Sequence, residues 1–122
     1  MPKTILIVDD SAMIRRIVSQ IIMEHRHRPI TAANGQEGVE AARAHQPDLI
    51  IMDIEMPVMD GIEATRRIKA DSQTRAIPVI FFTALGSEEN ISAAQDAGAI
   101  GFLNKPICKE ELGKAIDQIF GL

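Results

Sequence analysis

Leu49-Ile50-Ile51-Met52-Asp53, four apolar residues running straight into a carboxylate, sets the pattern of the whole chain. An apolar run of this length without alternation suits a strand buried on both faces. The pattern recurs as Ile5-Leu6-Ile7-Val8 before Asp9-Asp10 and as Val79-Ile80-Phe81-Phe82 before Thr83. A weaker copy, Ile100-Gly101-Phe102-Leu103, precedes Asn104-Lys105. A fifth, poorer strand is expected near Arg28 to Ala32, at an edge, because Pro29 cannot donate to a ladder. Between the runs lie helical patterns. Ile14, Ile17, Val18, Ile21 and Ile22 form an amphipathic stripe with Ser11 as its cap, and Leu112, Ala115, Ile116, Ile119 and Phe120 repeat it. Asp60-Gly61-Ile62-Glu63 reads as a capping box. Ser87 before Glu88 and Glu89, with Gly98 beyond, brackets another helix, and Gln36 to His45 is a shorter one. Five strands alternating with five helices give an α/β fold, a parallel sheet covered by helices on both faces.

Length and composition narrow the possibilities. The chain has 122 residues, enough for one domain with a real core, and it reads as a single unit from 1 to 122. Thirteen Lys and Arg against seventeen Asp and Glu leave a formal charge of −4, the wrong sign for a nucleic-acid footprint. With no Trp or Tyr and four Phe, a base-stacking platform is also disfavoured. A single cysteine suits a reducing compartment. No apolar run approaches the roughly 20 residues of a membrane span. Asp9-Asp10 follows too closely on the N-terminus for a signal peptide, and Met1 just ahead of the first strand suggests a genuine start. The expectation is a cytoplasmic protein that uses neither membrane nor nucleic acid.

In a parallel sheet all the C-terminal strand ends share one edge, and open α/β sheets bind ligands there. Taken singly, each end has an ordinary explanation: an Asp pair caps a helix, Thr favours strands and Lys-Pro makes a turn. Taken together, four segments deliver carboxylates from Asp9, Asp10 and Asp53, a hydroxyl from Thr83 and an ammonium from Lys105 to one place. Clustered carboxylates repel one another and their pKa values rise unless a cation joins them. A hard divalent metal with oxygen ligands resolves the conflict, and the absence of His and Cys from the set argues against structural zinc. A carboxylate nucleophile, a divalent cation, a Lys and a hydroxyl together suit phosphoryl transfer, with Asp53 as nucleophile.

The chain resembles the receiver (CheY-like) domain of two-component response regulators. The resemblance rests on Ile7-Val8-Asp9-Asp10-Ser11, on Met52-Asp53-Ile54-Glu55-Met56-Pro57-Val58-Met59-Asp60-Gly61, on Phe82-Thr83-Ala84 and on Lys105-Pro106, in the family's order and spacing. It implies a flavodoxin-like, doubly wound sheet of strand order 2-1-3-4-5. It also implies that Asp53 accepts a phosphoryl group from a histidine kinase or histidine phosphotransfer protein. Asp9, Asp10, Asp53 and the backbone carbonyl of Glu55 would hold Mg²⁺ (or Mn²⁺), with Asp9 acting largely through water. Thr83 and Lys105 would contact the phosphoryl oxygens, Phe102 would be the switch aromatic, and the Lys105-Pro106 bond would be cis. The output would leave through the face of the fourth helix, fifth strand and fifth helix, toward a protein target the sequence does not name. The expected state is a monomer, or a dimer when phosphorylated. The leading function is a single-domain regulator in chemotaxis or a phosphorelay. The alternatives are the receiver of a longer transcription factor or hybrid histidine kinase, and a haloacid-dehalogenase-like aspartyl phosphatase. Such a phosphatase would place a D-x-D motif on its first strand, where this chain has Asp9-Asp10-Ser11. In any of the receiver roles the protein promotes only its own phosphorylation and dephosphorylation.

The remaining residues carry plainer expectations. Glu55 is read equally as a solvated loop carboxylate and as a modulator of metal affinity and phosphoryl lifetime. Cys108 is expected to be a partly buried small residue at the start of the last helix rather than a reactive thiol. His25, His27 and His45 are expected to cap carbonyls or face solvent, and Met52, Met56 and Met59 to pack in core and loop. Arg15-Arg16 and Arg66-Arg67-Lys69 are expected on solvated helix faces, with docking of a phosphodonor as the lesser reading of the first pair.

Overall fold

The computed structural model describes residues 2–84 and 88–121. Its elements follow in the order β1 (Thr4–Val8), α1 (Ala12–Glu24), β2 (Arg28–Ala32), α2 (Gly35–His45), β3 (Leu49–Met52), α3 (Gly61–Ala70), β4 (Val79–Thr83), α4 (Glu88–Ala97), β5 (Gly101–Asn104) and α5 (Lys109–Phe120). All four strand pairings are parallel and the sheet order is β2-β1-β3-β4-β5. The three continuous apolar runs are the three central strands. β3 and β4 are buried throughout and β1 from its second residue on, whereas β2 and β5 are only partly covered. That contrast is the physical content of the unbroken hydrophobic pattern: a central strand must offer an apolar side chain to both helical layers.

Alternation along the strands divides the core in two. Leu6, Val8, Ile50, Met52, Val79 and Phe81 pack with α2, α3 and α4, while Ile5, Ile7, Leu49, Ile51, Ile80 and Phe82 pack with α1 and α5. Each fully buried Ile, Leu or Phe contributes roughly 1.5–3 kcal/mol. Among the described residues no helix is long and apolar enough to cross a membrane.

The caps agree with the sequence in part. Ser11 Oγ accepts the Ile14 N–H at 3.2 Å, and Asp60 Oδ1 accepts the Glu63 N–H at 2.8 Å. The Glu63 carboxylate, however, turns outward to Arg67 at 3.1 Å instead of closing a reciprocal box. A variant forms at α2, where Asn34 Oδ1 accepts the Glu37 N–H and Glu37 Oε1 accepts the N–H of Ala33, one residue before the cap. Gly98, at φ +111°, stops α4 as expected, while the expected cap at Ser87 lies outside the described residues.

Several surface expectations are corrected. β5 begins at Gly101, one residue later than the apolar run suggests, and Ile100 is 58% exposed, because the β4 ladder starts at the Ile80–Gly101 pair. Lys69 is not on a solvated face. Its ammonium donates to the carbonyls of Ile77 and of Arg75, and its stem lies against Gly98, so it ties the end of α3 to the β4 approach. His27 neither caps a carbonyl nor faces solvent: it is buried, accepts the Lys3 N–H on Nδ1 at 3.0 Å, and lies against Phe120. His45 is exposed, Met52 is buried, and Met56 and Met59 pack against the core. Cys108 is exposed, and its thiol makes no cap hydrogen bond to α5.

Candidate functional site

Asp9, Asp53, Thr83 and Lys105 arrive at the C-terminal edge of the sheet by one mechanism. Each sits at the end of a strand or within a residue of it, so the register of the ladder sets its depth. The Asp53 N–H donates to the Val8 carbonyl and the Lys105 N–H to the Thr83 carbonyl, which extends the sheet by one rung beneath the functional side chains. Asp9 is 1% exposed, Asp53 6% and Thr83 3%, whereas Asp10 is exposed. Oxygens of Asp9, Asp10 and Asp53 lie within 4.8 Å of one another. Lys105 Nζ stands 2.9 Å from Asp9 Oδ2 and 3.4 Å from Asp53 Oδ1, with the Phe82 ring beneath it at 5.4 Å. The Lys105-Pro106 bond is cis.

Hydrogen bonds orient the two buried carboxylates. Asp9 Oδ1 accepts the Ser11 N–H at 2.9 Å, and Asp53 Oδ1 accepts the Ile54 N–H at 2.9 Å. Asp9 Oδ2 is buried and pairs with the Lys105 ammonium at 2.9 Å. Burial first, and then the Asp9 charge, push the Asp53 carboxyl up to about 6, against the opposing pull of Lys105. Burial alone would lower the Lys105 ammonium, but its contacts with Asp9 and Asp53 outweigh that and hold it above its ordinary value.

These features test the site for a metal. Three carboxylates converge, and the one ammonium among the groups described stands beside two of them, Asp9 and Asp53. An all-oxygen donor set with an excess of negative charge matches a hard divalent cation. Asp9, Asp10 and Asp53 are therefore able to hold one.

The structure also brings in a group the sequence reading set aside. Arg15 is half-buried, and its Nη1 donates to the Asp9 carbonyl at 2.7 Å. The signal was present in the spacing, since Arg15 lies one turn past the cap on the helix that follows Asp9-Asp10. Sequence alone leaves open whether so long a side chain folds back or extends. Its neighbour Arg16 is exposed, as expected of a solvated face. Glu55 is exposed in the loop after Asp53, and Phe102 is half-buried with its ring stacked on Phe81 at 6.1 Å.

Residues 5–117 match the family model described as the response regulator receiver domain. The chain is 39% identical to the protein PilH of Pseudomonas aeruginosa, over 94% of this chain and 95% of that one. It is 40% identical to the chemotaxis protein CheY of Halobacterium salinarum, over 98% of each. Among solved structures it resembles the receiver domain of the sensor histidine kinase PA1611 from Pseudomonas aeruginosa, which carries a magnesium ion coordinated in its active-site cleft. That match has a TM-score of 0.91 at 29% identity and covers 100% of both chains.

Proposed function

The chain belongs to the response regulator receiver domain family, and on that premise we propose that Asp53 accepts a phosphoryl group from a phosphohistidine donor. The supporting observation is the juxtaposition of a buried Asp53 with a fixed Lys105 ammonium and two further carboxylates. Asp9, Asp10 and Asp53, with the Glu55 backbone carbonyl, would hold Mg²⁺, which supplies positive charge to the transferring phosphoryl oxygens.

In the transfer an Asp53 carboxylate oxygen bonds to phosphorus while the phosphorus–nitrogen bond of the donor breaks, and the electron pair of that bond stays on the leaving imidazole. Little covalent work falls to the protein, so its contribution is positioning and charge. The Ile54 N–H holds the Asp53 carboxylate in one rotamer. Lys105 is already beside the acceptor and meets the developing negative charge without reorganising. Thr83, buried at the end of β4, supplies the hydroxyl to one phosphoryl oxygen. Glu55, exposed two residues after Asp53, would influence metal affinity and access of hydrolytic water.

Thr83 and Phe81 lie on one face of β4, and Phe81 stacks on Phe102 of the neighbouring strand. Movement of Thr83 toward a phosphoryl group would pass along that line to the surface formed by α4, β5 and α5. That surface then serves a downstream protein, as in a single-domain regulator of chemotaxis or a phosphorelay. Incubation with Mg²⁺ and phosphoramidate, a nitrogen–phosphorus donor, is expected to add one alkali-labile phosphoryl group per chain, read by intact mass. Asp53→Asn should abolish it. Steady turnover of a phosphoester in place of one stoichiometric group would reassign the site to a phosphatase.

A further inference from the structure

We propose that Arg15 is a positioning residue for the cation site: it ties down the peptide group ahead of Asp10 and thereby aims the Asp10 carboxylate. This rests on the phosphoacceptor reading of the site. Asp9 and Asp53 are oriented by burial and by hydrogen bonds to their own carboxylates, but Asp10 has neither, being exposed and without a side-chain hydrogen bond among the described residues. What places its carboxylate is then the backbone, which sets the Cα–Cβ direction from which the side chain reaches the cluster. The two dihedral angles of Asp10 are the rotations between its flanking peptide planes, and both planes are held. The carbonyl of the preceding plane, that of Asp9, accepts from Arg15 Nη1 at 2.7 Å. The N–H of the following plane, that of Ser11, donates to Asp9 Oδ1 at 2.9 Å. The base of this frame is fixed in turn, since the Asp9 N–H donates to the Ala32 carbonyl at 3.1 Å and Arg15 continues α1 through its own N–H to the Ser11 carbonyl. Asp9 thus holds one side of Asp10 and Arg15 the other.

Positioning and plain charge make opposite claims about removing the guanidinium. A cation nearby repels Mg²⁺, so deleting Arg15 for charge alone tightens metal binding. If Arg15 acts by aiming Asp10, deletion weakens binding, by about tenfold on the scale of groups that orient metal ligands. The experiment is isothermal titration of Mg²⁺ into wild type, Arg15→Met and Arg16→Met, with metal-free circular dichroism confirming the fold of each. The expected result is about tenfold weaker binding in Arg15→Met, with the exposed Arg16→Met matching wild type. Equal or tighter binding by Arg15→Met overturns the assignment. Should that variant not fold, Arg15→Gln, polar but too short to span to the Asp9 carbonyl, carries the same comparison. Absence of Mg²⁺ binding in wild type would instead overturn the reading of the site itself.

Discussion

Asp53 carries a cost in the fold. Its carboxyl, raised to about 6 by burial and by Asp9, keeps a proton in the fold over a range in which the unfolded chain has already lost it. Stability therefore falls as pH rises from about 4 to about 6, and the deficit persists above that. Asp53→Asn removes the charge while leaving an acceptor for the Ile54 N–H. In chelator at pH 7.5 it is expected to raise stability by about 1–3 kcal/mol, measured by urea denaturation. His27 works in the other direction. Burial first, then the neighbouring His25 and Lys3 charges, lower its pKa against the opposing pull of Asp117. Its Nδ1 already accepts the Lys3 N–H and its Nε2 is buried without a partner, so a second ring proton would meet a donor. That stability is present above the unfolded value of about 6.5 and is lost as pH falls below it. His27→Gln should flatten the melting temperature between pH 6.5 and 5 relative to wild type.

At the scale of elements, the joint between β3 and α3 carries the tightest constraint. The Gly61 N–H donates to the Ile54 carbonyl, and a β-carbon at Gly61 would lie 1.9 Å from the Asp53 carbonyl oxygen. Nothing larger than glycine fits without moving the loop that follows Asp53. Gly61→Ala is expected to cost about 2 kcal/mol or more by urea denaturation and to slow Asp53 phosphorylation, because the loop must shift to admit the methyl group. The same loop holds Val58 at φ +71°, with the Met59 N–H bonded to the Pro57 carbonyl in a γ-turn. A β-branched residue in that region is strained and is 82% exposed, so no packing rewards it. Val58→Gly should therefore stabilise the fold by about 1 kcal/mol, read by the same denaturation.

Across the whole molecule, the site and the α4–β5–α5 surface are joined by the sheet. β4 pairs with β5, with Thr83 at its C-terminal end and Phe81 two residues back against Phe102. Binding of Mg²⁺ with a phosphate mimic is expected to shift the amide resonances of Thr83, Phe102 and α5 well beyond those of α2. Uniform or absent shifts at those positions would remove the switch while leaving phosphorylation itself intact. Truncating Phe102 to alanine should weaken the response at α5 without preventing phosphorylation, which intact mass would follow.

The architecture and the gathering of charged residues at the sheet edge were legible in the sequence because each depends on a local pattern. Unbroken apolar runs mark strands covered on both sides, and a polar residue at the end of each run falls on the shared edge once those strands are parallel. Asp9, Asp10, Asp53, Thr83 and Lys105 could be gathered on that basis without coordinates. The behaviour of Arg15, Lys69 and His27 could not. Their roles are set by where a long or amphipathic side chain folds back, and by which backbone groups lie within its reach. Only the packed structure supplies those neighbours. Residue order determined the sheet and the chemistry at its edge, and tertiary packing decided how firmly each charge is aimed.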